Sequence, residues 1–431
     1  MKTELAFKTV SVIGLGYIGL PTAAVIASRG INVIGVDVNQ KAVDTINAGD
    51  IHIVEPDLDI VVRGVVSTGN LRATTTPEPA EAFMVAVPTP FHHGTNENGE
   101  VSHKPNLDYI KSAAKAIAPV LEKGNIVILE STSPVGATEK LAGWLAEARP
   151  DLSFPQDKGD SADIKVAHCP ERVLPGYVLQ ELVSNDRVIG GMSKACSDRA
   201  VELYQTFVRG ECVITNARTA EMAKLTENSF RDVNIAFANE LSVICDKLKI
   251  NVWELIKLAN RHPRVNILQP GAGVGGHCIA VDPWFIVASA PEEARLIHAA
   301  RRGNDAKPQW VLEKGKSAIM DVLAADPSRS MSDIKVACLG LAFKPDIDDL
   351  RESPALDITK NFGELGCQVL AVEPNITKLP AGFEALPITL SPLDVALEQA
   401  DVICVLVKHS AFADLPEKCP KNARLLDVVG L

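Results

Sequence analysis

The sequence predicts an α/β protein in which two doubly wound parallel-sheet domains are joined by a long central helix and a helical region. Two observations predict the sheets: a strand, a glycine turn and a helix follow one another over residues 8–28, and strand patterns recur between 334 and 407. A third observation predicts the connection, since residues 219–248 have a helical pattern without an internal Pro or Gly. We therefore expect three domains, which are residues 1–216, 217–325 and 326–431.

The composition narrows the classes of function. At about 150 residues per domain, the 431 residues allow about three domains. The net charge of -11, from 43 basic and 54 acidic side chains, argues against a nucleic-acid-binding protein. No run approaches the roughly 18 apolar residues of a membrane span, so we expect no membrane partner. The nine cysteines lack CxxC or Cys/His ligand spacing, which indicates reduced thiols in a cytoplasm and no metal site.

The first glycine turn has the spacing GxGxxG and directly follows the strand at 8–13. Gly14 permits a tight turn, Gly16 lets the backbone approach a pyrophosphate, and Gly19 lets the next helix pack against the strand. The N-terminus of that helix favours an anion. The spacing alone is weak evidence, because a chance glycine turn in an α/β domain has the same form.

An acidic residue strengthens the interpretation of this turn. The second strand, residues 31–36, ends in Asp37, at the offset of about 20 residues where an acid meets the ribose hydroxyls of a dinucleotide. A carboxylate would repel a 2′-phosphate, so Asp37 favours NAD over NADP. The first domain is therefore predicted to be a Rossmann-like NAD-binding domain.

Polar residues follow three further strands of this domain. They are Thr89, Thr132 and the neighbours Glu171 and Arg172. Because ligands of doubly wound sheets lie at the carboxyl ends of strands, we expect Thr89 and Thr132 to touch the cofactor or the reacting carbon. Helix capping is the alternative role of both threonines. Glu171 and Arg172 form either a surface ion pair or a pair that orients a substrate and its diphosphate.

The long helix predicted at 219–248 carries three polar residues at helical spacing. Lys224, Asn228 and Arg231 are four and three residues apart, which places them on one helix face. A solvated face is the ordinary interpretation of such a stripe, but the apolar neighbours favour a lysine used in catalysis. A helix of about 30 residues spans about 45 Å. We expect it to link two domains and to pack against its twin in a homodimer.

A glycine-rich loop at 270–285 places Cys278 just ahead of Asp282. Glycines allow backbone to approach a ligand closely, so the thiol is either a nucleophile or an inert buried group. The preceding segment contributes His262 and Arg264, whose side chains can bind a phosphate or a sugar. The local sequence does not decide between the two roles of the thiol.

The last third of the chain repeats the strand and helix pattern. A helical stretch at 292–323 precedes it, and the turn at 340–345 lacks the full GxGxxG spacing. We therefore expect no second dinucleotide in this domain. Phe343 can stack on a base and Lys344 can meet a phosphate.

Four segments together resemble the nucleotide-sugar 6-dehydrogenases, which form the UDP-glucose and GDP-mannose dehydrogenase family. They are CPERVLPG (169–176), AEMAKLTENSFRDVNIAFANEL (220–241), NRHPRVNILQPG (260–271) and GVGGHCIAVDPWF (273–285). The resemblance covers essentially the whole chain. It implies a C-terminal domain that binds UDP-sugar, and a product used in a surface polysaccharide.

The resemblance also implies the reaction and its residues. NAD-dependent oxidation of a UDP-sugar at C6 would remove four electrons, with Cys278 as the nucleophile that forms a thiohemiacetal and a thioester, and Lys224 as the acid/base and oxyanion group. The other catalytic residues implied are Asn228, Asp282, Glu171 and Thr132. The cofactor contacts expected are Gly14, Gly16, Tyr17, Ile18, Gly19, Asp37, Thr89, Thr132 and Arg351. The substrate contacts expected are Glu171, Arg172, Val173, Lys224, Asn228, Arg231, His262, Arg264, Gly275, Phe343 and Lys344.

One departure from the glucose-oxidising members bears on the substrate. Where they carry a second glutamate four residues after the first, this chain has Pro175, which favours an N-acetylated sugar. The resemblance of the four segments implies that this sugar is UDP-N-acetyl-D-mannosamine. The C2 epimer UDP-N-acetylglucosamine is an alternative that His262 and Arg264 would have to discriminate. Two further alternatives are a two-electron hydroxy-acid dehydrogenase, which needs no cysteine, and a regulator that binds NAD without turnover.

Overall fold

The computed structural model describes residues 6–92, 103–174, 176–276 and 278–431. The chain divides into two compact units, residues 1–227 and 228–431, and the boundary falls inside a helix of 32 residues. Each unit contains one β-sheet with helices around it, so the predicted α/β class is confirmed.

The first unit contains a sheet of eight strands. Their bounds are β1 Thr9–Ile13, β2 Asn32–Val36, β3 Leu71–Thr74, β4 Ala82–Val85, β5 Ile126–Leu129, β6 Lys165–His168, β7 Arg187–Gly191 and β8 Cys212–Asn216. The order across the sheet is β3-β2-β1-β4-β5-β6-β7-β8. Neighbouring strands are parallel except β6 and β7, which are antiparallel. The strand order reverses between β1 and β4, where doubly wound sheets bind their ligands.

Helices of the first unit pack against both faces of this sheet. Their bounds are α1 Gly19–Ala27, α2 Gln40–Asn47, α3 Leu58–Ser67, α4 Asp108–Ile117, α5 Ala137–Ala148, α6 Pro155–Lys158, α7 Val178–Ser184 and α8 Lys194–Tyr204, followed by α9 Ala217–Leu248 across the boundary. Leu20 and Val62 lie in the core on one face, and Ile110 and Leu141 lie in the core on the other. The strands are apolar on both sides because both faces are covered.

The turn between β1 and α1 depends on two glycines. Gly14 has a φ of +91°, a left-handed conformation that side chains disfavour. A Cβ on Gly19 would lie 1.7 Å from the carbonyl oxygen of Gly14, which is far inside van der Waals contact. This close approach lets α1 begin directly beneath the carboxyl end of β1.

The reversed direction of β7 determines where its first residue lies. In the β6–β7 pair, Ala167 is opposite Gly191 and His168 is opposite Gly190. Extending that antiparallel register past the end of β6 brings Arg187 level with Glu171. A parallel strand would have begun at the other edge of the sheet, so the reversal places Arg187 at the carboxyl edge.

The second unit contains a parallel five-stranded sheet. Its strands are β9 Lys335–Leu339, β10 Gln368–Val372, β11 Ile388–Leu390, β12 Val402–Val405 and β13 Arg424–Asp427, in the order β11-β10-β9-β12-β13. Its helices are α10 Val252–Ala259, α11 Asp282–Ser289, α12 Arg295–Ala325, α13 Pro354–Glu364, α14 Leu393–Gln399 and α15 Leu415–Lys418. This strand order is that of one Rossmann-like sheet, as the sequence predicts.

The two long helices expected from the sequence are present. The stretch predicted at 219–248 is α9, and the stretch predicted at 292–323 is α12, with Pro308 inside it. Five strands that the sequence analysis did not identify, β3, β7, β8, β11 and β13, lie at or next to the sheet edges. Among the described residues, no helix combines the length and the apolar character needed to cross a membrane.

The contact between Gly19 and Gly14 predicts a large effect of a single methyl group. We expect Gly19→Ala to destabilise the fold by more than about 3 kcal/mol, the upper end for overpacking, because the new Cβ meets backbone that cannot move aside. Gly143→Ala in α5 is the control, since a Cβ there meets no atom within 4 Å. Thermal unfolding followed by circular dichroism measures both; equal unfolding midpoints for the two variants would contradict the prediction.

Candidate functional site

The glycine turn of the first unit leaves open space where a pyrophosphate is expected. A Cβ on Gly16 would meet no atom within 4 Å, in contrast to Gly14 and Gly19. Tyr17 and Ile18 follow it, and Ile18 is the residue that precedes α1. Backbone N–H groups at the start of this helix therefore border an open space suited to an anion.

Asp37 lies at the carboxyl end of β2, where the sequence analysis expects the acid that binds ribose. Its Oδ2 accepts a hydrogen bond from the N–H of Leu15 (2.9 Å), and its Oδ1 accepts one from the N–H of Asn39 (2.9 Å). These bonds fix the carboxylate beside the turn. Each oxygen retains a lone pair for a ribose hydroxyl, since a carboxylate accepts about four hydrogen bonds.

Thr89 and Thr132 lie after β4 and β5, at the same sheet edge. The hydroxyl of Thr89 is buried and has no hydrogen-bond partner among the described residues. A buried hydroxyl without a partner costs free energy, so a ligand atom at this position would relieve the cost. Thr132 is half-buried in the segment between β5 and α5. The residues of this edge therefore fit a dinucleotide such as NAD.

Arg351, the remaining residue expected to contact the cofactor, belongs to the second unit. Its guanidinium forms an ion pair with Asp349, with Nη2 2.6 Å from Oδ2. Its carbonyl oxygen accepts a hydrogen bond from the N–H of Gly276 (3.2 Å). Arg351 is thus attached to the glycine-rich loop that precedes Cys278.

The segment after β6 contains Glu171, Arg172 and Val173. Glu171 is buried, and Arg187 donates from Nη1 to both of its carboxylate oxygens at 2.8 Å. Arg172 is half-buried and forms an ion pair with Glu227 (2.7 Å). The sequence analysis left open a surface ion pair between Glu171 and Arg172. That alternative is wrong, because each side chain pairs with another residue.

A second buried glutamate lies beside Glu171. Glu130 directly follows β5, and its Oε1 accepts a hydrogen bond from the hydroxyl of Tyr204 (2.8 Å). Burial and then the negative charge of Glu171 raise the pKa of Glu130 to about 8. Sequence analysis gave Glu130, Arg187 and Tyr204 no role. The available signals were an acid at the end of an apolar strand and an arginine at the start of a buried one.

Helix α9 carries Lys224, Asn228 and Arg231. Lys224 and Asn228 are half-buried and Arg231 is exposed. One turn before Lys224, buried Glu221 accepts hydrogen bonds from the N–H of Gly136 (2.6 Å) and from the N–H and hydroxyl of Thr138 (2.8 and 2.6 Å). Glu221, which sequence analysis missed, thereby anchors the segment that contains Thr132 to α9.

Two of the expected catalytic residues of the second unit are in direct contact. The amide nitrogen of Asn228 donates a hydrogen bond to Oδ2 of buried Asp282 (2.5 Å). The N–H of Asp282, at the start of α11, donates to the carbonyl oxygen of Cys278 (2.8 Å). Asn228, Asp282 and half-buried Cys278 therefore form one cluster, although 54 residues separate Asn228 from Asp282.

The glycine-rich loop before Cys278 packs against Phe343. A Cβ on Gly275 would lie 2.7 Å from the Cβ of Phe343 and 2.4 Å from the carbonyl oxygen of Glu352, so only glycine fits. At the start of the loop, the N–H of Gly271 donates to Oδ1 of buried Asn239 on α9 (2.9 Å). The loop conformation is thus determined by contacts at both ends.

The other expected substrate contacts are at the surface of the second unit. His262 and Arg264 are exposed, in a loop closed by Asn260, whose side chain bonds both the N–H and the carbonyl oxygen of Ile267 (2.7 and 2.9 Å). Lys344 is also exposed. These three side chains lie on surfaces that a charged ligand can reach.

The first turn of the second sheet has the same frame as the NAD turn. Glu373 follows β10 as Asp37 follows β2. The N–H of Leu341 donates to Oε2 of Glu373 (2.8 Å), just as the N–H of Leu15 donates to Asp37. The two sheets therefore present an acid at equivalent positions.

His409 changes the use of that acid in the second sheet. The ring Nδ1 of His409 accepts a hydrogen bond from the N–H of Asp346 (2.9 Å), so Nε2 carries the proton and donates to Glu373 (3.0 Å). Burial opposes ionisation of Glu373, but the bonds from His409, Leu341 and Ala342 lower its pKa to about 2. The carboxylate is committed to protein donors, which fits the expectation of no second dinucleotide.

One position used in the sequence analysis, Pro175, which bears on the sugar, lies outside the described residues. Within the described ranges, no three His, Cys, Asp or Glu side chains come together as a metal site. None of the nine cysteines forms a disulfide.

Comparison with family models gives matches to three consecutive domains of one family. Residues 8–208 match the NAD binding domain of the UDP-glucose/GDP-mannose dehydrogenase family, residues 218–306 match its central domain, and residues 337–430 match its UDP binding domain. The matches span most of the chain. The NAD binding domain contains the glycine turn and Asp37.

Individual proteins resemble the chain over its full length. A UDP-N-acetyl-D-mannosamine dehydrogenase from Yersinia pestis is 61% identical over 428 residues, covering 99% of this chain and 100% of the relative. An NDP-N-acetyl-D-galactosaminuronic acid dehydrogenase from Ralstonia nicotianae is 59% identical, covering 99% and 97%. Among solved structures, the UDP-D-ManNAc dehydrogenase from Pyrococcus horikoshii has a TM-score of 0.84 and 37% identity, covering 98% and 95%.

Because the space at Gly16 is open, a substitution there should affect ligand binding without affecting folding. We expect Gly16→Ala to raise the dissociation constant for NAD at least about tenfold, equivalent to about 1.4 kcal/mol, because the methyl group occupies the space that a pyrophosphate needs. The unfolding midpoint should stay unchanged, since the methyl group meets no protein atom. Calorimetric titration with NAD measures the effect, with Gly64→Ala in α3 as the control; unaltered NAD affinity in Gly16→Ala would contradict it.

Proposed function

Because the chain belongs to the UDP-glucose/GDP-mannose dehydrogenase family, we propose that it oxidises UDP-N-acetyl-D-mannosamine at C6 to UDP-N-acetyl-D-mannosaminuronate. The observation that carries the proposal is the cluster of Cys278, Asn228 and Asp282, in a chain 61% identical over its length to a dehydrogenase of that name. We assign NAD binding to residues 1–216, catalysis and dimerisation to 217–325, and UDP-sugar binding to 326–431. The cytoplasm is the proposed location and surface polysaccharide synthesis the proposed use.

The residues of the cluster account for an oxidation that removes four electrons. Two molecules of NAD, bound one after the other, would each accept one hydride: the first in the oxidation of the alcohol to the aldehyde, the second in the oxidation of the thiohemiacetal. Between these two oxidations, Sγ of Cys278 forms a bond to C6 of the aldehyde. A nucleophile is needed because the aldehyde must be held as a tetrahedral adduct before a second hydride can leave. Water then cleaves the thioester, which releases the carboxylate and restores the thiol.

Asn228 and Lys224 are the proposed stabilisers of the oxygen that becomes negative in the adduct. One N–H of the Asn228 amide is bonded to Asp282, and the second can donate to the oxyanion. The ammonium of Lys224 would supply the opposite charge and act as acid or base. Loss of one such donor costs about 10²–10³ in rate. Asp282 orients the amide, and its carboxylate can also activate the water that attacks the thioester.

The remaining roles follow the residues of the two units. In the first unit, Glu171 and Thr132 are proposed neighbours of the reacting carbon, and Arg172 and Val173 are proposed to contact the UDP-sugar. In the second unit the proposed contacts to the UDP-sugar are Arg231, His262, Arg264, Gly275, Phe343 and Lys344. The cations suit the diphosphate, and the Phe343 ring suits the uracil face.

NADH released per sugar consumed tests the reaction. We expect about two NADH for each UDP-N-acetyl-D-mannosamine, because two hydrides leave the same carbon. Cys278→Ser should still bind NAD but form no acid product. A ratio of one, or ordinary turnover by Cys278→Ser, would refute the covalent scheme. UDP-N-acetylglucosamine and UDP-N-acetylgalactosamine are run beside it, and preference for either would keep the mechanism and change the substrate.

Helix α9 also supports the proposal of a homodimer. Phe230, Phe237, Ile244 and Leu248 are exposed by 71%, 52%, 43% and 60%, and the first three are seven residues apart. An apolar residue every seven positions is the spacing at which two helices pack along a shared seam. A second copy of α9 presents the same stripe, so we propose that it covers this one.

A charge within that stripe tests the dimer. We expect Phe237→Glu to convert the protein to monomers, because a buried, unpaired carboxylate at the seam costs several kcal/mol. Light scattering coupled to size-exclusion chromatography measures the mass. Tyr109→Glu makes a comparable change at an exposed aromatic of α4 and should leave the mass unchanged. A dimer that persists in Phe237→Glu would place the interface elsewhere.

A further inference from the structure

We propose that Arg187 and Glu130 are positioning residues that act through Glu171. Arg187 fixes the orientation of the Glu171 carboxylate, and Glu130 in its protonated form leaves the guanidinium of Arg187 to Glu171 alone. The proposal rests on the proposed function, in which Glu171 lies near the reacting carbon. It concerns three side chains, from the segment after β5, from the segment after β6 and from the antiparallel strand β7.

The contacts of Glu171 leave its carboxylate little freedom. Nη1 of Arg187 donates to both oxygens at 2.8 Å, and the N–H of Arg172 donates to Oε1 at 2.6 Å. Nη2 of Arg187 is held by the carbonyl oxygen of Leu182 (2.9 Å), so the guanidinium cannot turn away. Three donated hydrogen bonds therefore fix the orientation of this carboxylate.

Glu130 has a different set of partners. Its Oε1 accepts from the hydroxyl of Tyr204, whereas its Oε2 is buried and has no partner among the described residues. Its side chain contacts no cation at hydrogen-bond distance in the described part of the chain. Two ionised carboxylates beside one guanidinium would leave a net buried negative charge, which is costly. The proton therefore resides on Glu130.

The groups that face Glu130 come from three elements. Among the described residues they are Glu171 and Cys169 from the segment after β6, Arg187 from β7 and Tyr204 from α8. Burial holds Tyr204 and Cys169 in their neutral forms, because it raises the pKa of each group. Arg187 is thus the one cation in this set, and the two glutamates are its two possible partners.

This arrangement makes activity depend on the proton of Glu130. As the pH rises through the pKa of about 8, Glu130 becomes a second carboxylate beside Arg187. The guanidinium is then shared, and the carboxylate of Glu171 loses the contacts that hold its position. Activity should therefore fall as Glu130 ionises, over a pH range centred near 8.

The pH dependence of kcat in Glu130→Gln tests the proposal, because glutamine has the shape of a protonated glutamate but cannot ionise. In the wild type, a group of pKa about 8 reduces activity between pH 6.5 and 8.5 by about fourfold. The ratio of activity at pH 8.5 to that at pH 6.5 should rise about fourfold in Glu130→Gln. Glu202→Gln, at an exposed site of α8, should keep the wild-type ratio.

A wild-type ratio in Glu130→Gln would overturn the proposal, as would a loss of activity that is equal at every pH. Tyr204→Phe provides a second variant, in which Glu130 can still ionise. The Tyr204 hydroxyl stabilises ionised Glu130, so its removal raises the pKa of Glu130 and should move the alkaline loss of activity to higher pH. A loss that stays in place or moves to lower pH would also overturn it.

Unfolding supplies a measurement that needs no substrate. Folded Glu130 keeps a proton that the unfolded chain releases near its ordinary pKa of 4.5. Its contribution to stability is therefore complete below pH 4.5 and is lost as the pH rises through about 8. The decline of the unfolding midpoint with pH over this range should be shallower in Glu130→Gln than in the wild type. Equal slopes would contradict the assignment of a proton to Glu130.

The two measurements separate the two proposals. If turnover occurs and only the activity ratio fails to change, the proposed function stands and the role of Glu130 through Glu171 is refuted. If no UDP-sugar is oxidised, the proposed function fails and the role through Glu171 fails with it, whatever the unfolding slopes show.

Discussion

A single buried cation, Arg187, sets the arrangement of the carboxyl edge of the first sheet. Glu171 is buried there as a carboxylate, and a buried charge without a partner would cost several kcal/mol. Arg187 can reach it because β7 runs antiparallel to β6, which brings the start of that strand to the edge where the parallel strands end. The direction of one strand thus determines which of the two glutamates pairs with Arg187.

The first turn of each sheet has the same arrangement of glycine and acid in both units, but the acid has different partners. In each, a glycine with positive φ follows the first strand, and an acid after the neighbouring strand accepts a hydrogen bond from the turn. Asp37 keeps lone pairs for a ribose. Glu373 accepts hydrogen bonds from two backbone N–H groups and from His409, so its acceptor positions are used by the protein itself. The NAD binding domain and the UDP binding domain therefore differ in two respects. One is the glycine spacing of the turn, and the other is whether the acid after the neighbouring strand can still accept a hydrogen bond from a ligand.

The loop before Cys278 is held mainly through backbone contacts. Gly275 lies against Phe343 without room for a side chain, Gly271 is bonded to Asn239, and Gly276 is bonded to the carbonyl oxygen of Arg351. Because such contacts fix the main chain, they hold the segment that leads to Cys278. The glycines at this loop thus serve close approach as well as turn formation.

The sequence by itself determined the α/β class, the long helices and the NAD turn, because these depend on local periodicity and on glycines at fixed spacing. It also brought Cys278, Asn228 and Asp282 into one hypothesis through the family resemblance. Only the tertiary structure paired Glu171 with Arg187 instead of Arg172 and joined Asn228 to Asp282. It also left Glu130 without a hydrogen-bonded cation among the described residues. Such pairings join residues far apart in the chain and depend on strand direction and burial, which local sequence does not encode.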